Sequence, residues 1–160
     1  MIDVSLAPPP ALAPTVRSFT LLTDAVTTRA STADTNGAYA LYEYITPPGG
    51  GFPPHAHRYD DITLVVLDGA YTVLSGQQTT TLVRGDSLLI PKGIAHGYAN
   101  PGTRPAHLLV IVTPGRIHEQ FLADAGDPAG RPPWDVDMGR IMAVAPKYGI
   151  EFQEPGSERT

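Results

Sequence analysis

The sequence predicts an all-β fold, an antiparallel sandwich or barrel with a short helical tail. Three observations carry this. From Ile62 onward, short apolar or alternating runs recur at regular intervals: "DITLVVLDG", "AYTVLSG", "QTTTLVRG", "DSLLIPKG" and "HLLVIVTPG". A glycine closes each turn, at Gly69, Gly76, Gly85, Gly93 and Gly115. Helical spacing enters only near the end, in "RIHEQFLADAG", with Ile117, Phe121 and Leu122 on one face.

The elements are justified in chain order. Residues 1–16 contain Pro8, Pro9 and Pro10 and read as a proline-rich extended arm. "SFTLLT" and "AVTTRAS" are rich in threonine and apolar residues and read as strands, with a tight-turn signal at Asn36-Gly37. "AYALYEYIT" alternates as a further strand. "PPGGGFPP" is expected to end it as a loop that delivers His55. The barrel is expected over 17–116 and the helical tail over 117–153. The tail includes a second short helix in "VDMGRIMAVAPKYG", ended near Pro146 and Gly149. Trp134, in the loop before it, is expected to cap the barrel or meet a partner subunit. Residues 154–160 are expected to be disordered.

Composition bounds the function. The chain has 160 residues, enough for one domain with a real core, and 42% of them are hydrophobic. No cysteine is present, which excludes disulfides and thiolate metal sites. The formal charge is -5 and the basic residues are scattered, which argues against nucleic acid as a partner. No apolar run is long enough to span a membrane. The start has no basic n-region, so a cytoplasmic protein is expected.

Two stretches carry chemistry. His55 and His57 form a His-x-His pair, and a period of two puts both imidazoles on one side of an extended segment. Downstream, "GDSLLIPKGIAHGYAN" runs from a glycine turn through Pro91 and Gly93 to His96 and Asn100. The spacing of Gly85, Pro91, Gly93, His96 and Asn100 resembles the second cupin motif at every fixed position. The stretch from Gly49 through His55 and His57 to Gly69 resembles the first. The resemblance covers roughly Tyr39 to Gly115, and the chain looks most like single-domain cupins grouped loosely with quercetin dioxygenases.

The resemblance implies an antiparallel jelly-roll barrel. It also implies one divalent transition metal (iron, manganese, nickel, copper or zinc) held by His55, His57 and His96. The family's fourth ligand is a glutamate, and this chain departs from it. Counting back from Gly69 puts Ile62 in the slot; counting forward from His57 puts Asp61 there. Strand register favours Ile62 and a three-histidine metal. A local irregularity would instead turn Asp61 inward as a fourth ligand. Asp60 and Asp61 otherwise orient a ligand imidazole or lie solvated in the loop. Tyr42, Tyr44, Phe52, Tyr59, Ile62, Tyr98 and the inward members of Leu64 to Leu67 are candidates to line a pocket. His107 and His118 match no motif position and are expected to be surface or structural residues.

The family reading is a metal-dependent dioxygenase acting on an enolisable or phenolic small molecule. Its alternatives are a Lewis-acid cyclase, isomerase or lyase with Asp61 or Tyr59 as catalytic proton carrier, and a non-enzymatic ligand-binding barrel. A homodimer is expected from the fold and the arm.

Overall fold

The computed structural model describes residues 17–128 and 137–153; the arm, Trp134 and the last residues lie outside them. The first half of the chain runs through strands β1 (Ser18–Leu21), β2 (Asp24–Ala30), β3 (Ala40–Thr46), β4 (Gly51–His57), β5 (Asp61–Asp68) and β6 (Ala70–Ser75). β7 (Gln78–Val83), β8 (Ser87–Ile90), β9 (His96–Ala99) and β10 (Ala106–Thr113) complete the barrel strands. Helix α1 (Arg116–Ala125), the short β11 (Asp127–Pro128), helix α2 (Met138–Val144), a 3-10 turn (Ala145–Tyr148) and β12 (Ile150–Phe152) follow. Among the described residues no helix is long and apolar enough to cross a membrane.

Two antiparallel sheets face each other as a jelly roll. One has the order β11-β1-β2-β3-β10-β5-β8 and the other β12-β4-β9-β6-β7. Alternation decides which side chains lie between them. Ile62, Leu64 and Val66 of β5 are buried, as are Leu108, Val110 and Val112 of β10, Tyr42 and Tyr44 of β3, and Tyr71 and Val73 of β6. The turn glycines Gly69, Gly76, Gly85, Gly93 and Gly115 all have positive φ, which a side chain would strain.

The structure revises three local expectations. "GFPPHAH" is strand β4 rather than a loop, lying between β12 and β9. Prolines lack the ladder N–H, and the register shifts between Phe52 and His55 to accommodate them. Gly97 of β9 makes this close passage possible, because a Cβ there would stand 3.0 Å from Phe52 O and Pro54 N. "IEF" is a strand rather than part of a helical tail, and pairs Ile150 with His57 and Phe152 with His55. The buried stripe of α1 is His118, Phe121, Leu122 and Ala125, with His118 in place of Ile117. Those four follow i, i+3, i+4, i+7, the spacing of one helix face.

Candidate metal centre

The strand register assembles the histidines. His55 of β4 lies directly opposite His96 of β9, and His57 follows two residues on, on the same face. Gly93, in the left-handed region, donates its N–H to the His57 carbonyl at 2.7 Å and turns the chain into β9. Each of the three imidazoles offers a ring nitrogen, and these nitrogens lie within 4.8 Å of one another. All three residues are buried.

Hydrogen bonds decide the tautomers of two rings. His55 Nδ1 is 2.9 Å from Pro53 O, and His96 Nδ1 is 3.0 Å from Ile94 O. A carbonyl only accepts, so each Nδ1 carries the proton and each Nε2 presents a lone pair. His55 Nε2 then faces His57 Nε2 at 2.9 Å. Two nitrogens each about 2.1 Å from one metal and at right angles to it stand about 3 Å apart, so this spacing suits a shared ion. Burial, followed by the neighbouring imidazoles, holds His55 and His57 well below the usual histidine range, and burial also lowers His96. Neutral imidazoles with convergent lone pairs are the donor set that a divalent transition metal takes. The residues fit the metal.

The fourth position is apolar. Ile62 is buried, pairs with Ile90 and Val112, and lines the cavity beside the triad. Asp61 is next along β5 and so points to the other face. Its Oδ1 accepts the N–H of Lys92 at 2.9 Å. The structure therefore brings Ile62 to the triad and not Asp61. Asp60 is no solvated loop carboxylate: it is buried, and it accepts backbone N–H groups from Gly115 and His118 at the start of α1.

The cavity measures about 40 Å³, room for about three waters. Tyr44, Phe52, Ile62 and Tyr98 line it with the triad, as do Leu64, Val110 and Phe121. Two expected residues are elsewhere. Tyr59 is 48% exposed with its ring against Gly149, away from the cavity and from any proton transfer there. Tyr42 lines a separate groove with Thr28 and Glu119. The Tyr98 hydroxyl donates to Asp24, a fully buried carboxylate that burial pushes up to about 6.

One polar cavity residue escaped the sequence reading. His118 comes from α1, is 6% exposed, and sits 5.0 Å from His57 between ring centroids. Its place in the i, i+3, i+4, i+7 stripe is the signal that could have found it.

Residues 42–112 match the cupin domain family. The chain carries a cupin domain. It is 37% identical over 87 residues to germin-like protein 5-1 of Oryza sativa subsp. japonica, covering 49% of this chain and 37% of that protein. The chain thus spans less than half the length of that curated relative. An RmlC-like cupin from Shewanella frigidimarina superposes with a TM-score of 0.55 at 19% identity, over 65% of this chain and 86% of that one. The polyketide cyclase RemF from Streptomyces resistomycificus gives a TM-score of 0.54 at 22% identity, over 61% and 73%. At these identities the likeness of the two structures is one of fold.

Proposed function

We propose that this cupin-domain protein is a metal-dependent enzyme acting on a compact enolisable or phenolic molecule, and that its reaction is a dioxygenation. The observation that carries the reading is the convergence of three neutral imidazoles, their Nδ1 protons committed to backbone carbonyls where partners exist, with Ile62 in the fourth position. A divalent metal held by His55, His57 and His96 would supply a positive charge uncompensated by any carboxylate, together with open positions for a ligand.

The chain's own residues set the rest. A neutral donor set in an apolar barrel favours an anionic oxygen, because charge attraction is strong where water is excluded. Leu64, Val110 and Phe121 supply that exclusion. The size of the cavity limits the substrate to the most compact members of those classes. A flavonol is several times too large for it. Dioxygenation is self-balancing: both oxygen atoms enter the substrate, so no separate reductant is needed.

The test is oxygen uptake. Protein loaded in turn with iron(II), manganese, nickel or copper is offered pentane-2,4-dione and simple phenols in an oxygen electrode. Metal-dependent uptake, lost in His96→Ala, supports the reading. Turnover of the same compounds without oxygen would replace it with Lewis-acid chemistry of the cyclase or isomerase kind. Tight binding without turnover would make the barrel a ligand-binding module.

A further inference from the structure

His118 belongs to neither motif, yet it closes the cavity over the triad. Both its ring nitrogens are buried and have no hydrogen-bond partner. A buried polar group left unpaired costs free energy, and an apolar side chain of similar shape would avoid that cost. The surrounding rings are Tyr42 at 5.9 Å and Phe121 at 6.1 Å, with His57 on the cavity side. An imidazole carries at least one N–H donor in either protonation state, so His118 can donate into the cavity. The Tyr98 hydroxyl, also on the wall, is already given to Asp24.

The position of His118 is itself built. Asp60 stands three residues after His57 and holds the first turn of α1 through Gly115 and His118 backbone N–H groups. The turn that follows the strand carrying two triad histidines therefore also fixes where the helix places its imidazole.

We infer that His118 is a substrate-binding residue, which donates its ring N–H to an oxygen of a compact oxyanion whose other oxygen sits at the triad. This rests on the reading of the triad as a metal site. The ligand class is an enolate or carboxylate of a few heavy atoms, set by the size of the cavity and by the absence of a carboxylate ligand at Ile62. His118 lies outside the set of three converging nitrogens, so it acts on the ligand rather than on the metal.

The test uses cobalt(II), whose visible bands report its ligands. Wild type, His118→Phe and His118→Gln are loaded with cobalt, checked for folding by circular dichroism, and titrated with acetate. All three proteins should bind one cobalt with equal affinity. The dissociation constant of the anion should rise about tenfold or more in His118→Phe, the loss of one hydrogen bond to a charged group. His118→Gln, which keeps an N–H donor, should recover most of that. An unchanged constant in His118→Phe overturns this inference and leaves the metal reading intact. Loss of cobalt in both variants also overturns it, by making His118 a support for the metal. Wild type that binds no cobalt sinks the metal reading and this inference together.

Discussion

The carboxylate of Asp60 accepts the backbone N–H of Gly115 at 2.9 Å, across fifty-five positions of sequence. The bond is buried, and the same carboxylate also takes the His118 N–H. The first N–H groups of a helix have no partner within it, so Asp60 does for α1 what an N-cap residue does. Asp60→Ala should cost about 1–3 kcal/mol in urea denaturation, by leaving buried donors unpaired. Asp60→Asn keeps an acceptor and should cost less. Equal losses in the two variants would mean that the contact with the helix is not what matters.

The triad makes a prediction about linkage. A metal that binds only the native barrel stabilises it by an amount set by its concentration over Kd, about 2.7 kcal/mol at a hundredfold excess. For a domain of this size that raises Tm by roughly 5–10 °C. His55→Ala, His57→Ala and His96→Ala should each abolish the rise and cut metal content measured by elemental analysis. Full metal content in all three variants would refute the site.

Much of the fold was legible, because its strongest signals are local. Ile62, Leu64 and Val66 alternate on β5, and the positive-φ glycines mark the turns at its end and beyond. The inward face of Ile62 followed from the same alternation. What escaped depends on distant partners. Pro53 and Pro54 read as a loop because prolines seldom enter an inner strand, and the bulge that admits them is a property of β9 and Gly97. β12 is three residues long and has no pattern of its own; β4 makes it a strand. His118 matches no motif position and so reads as surface or structural, although its spacing with Phe121 and Leu122 marks the buried face. Asp60 gave no sign in the sequence, since its partners lie beyond residue 114.

Ile62 and Asp61 can be separated by exchange. Ile62→Glu puts an anionic oxygen beside three neutral nitrogens. Metal affinity in a competition titration should rise about tenfold or more, as expected for pairing a buried charge. Without metal the same glutamate is an unpaired buried charge, so the apo protein should lose about 3 kcal/mol or more. Asp61→Ala should leave metal affinity within about twofold and cost about 1 kcal/mol, the hydrogen bond to Lys92 N–H. A large loss of metal with Asp61→Ala and no gain with Ile62→Glu would reverse the assignment.

Asp24 gives the barrel a pH dependence of defined sign. Burial raises its carboxyl from 3.8 to about 6, against hydrogen bonds from Tyr98 and neighbouring hydroxyls that lower it. A raised carboxyl holds its proton better in the folded state than in the unfolded one. Its contribution to stability is therefore full below pH 3.8 and is lost as pH rises through 6. The total is about 3 kcal/mol, of which about 1–2 kcal/mol falls between pH 5 and 7.5. Asp24→Asn removes the titration and keeps an oxygen for the Tyr98 hydroxyl. The stability of wild type minus that of Asp24→Asn, from urea denaturation at each pH, should fall by that amount from pH 5 to 7.5. The buried imidazoles titrate in the opposite sense, but they are common to both proteins and cancel in the difference. A difference that stays flat, or grows with pH, would show that Asp24 is ionised in the folded barrel throughout and that Tyr98 stabilises the charge more than burial opposes it.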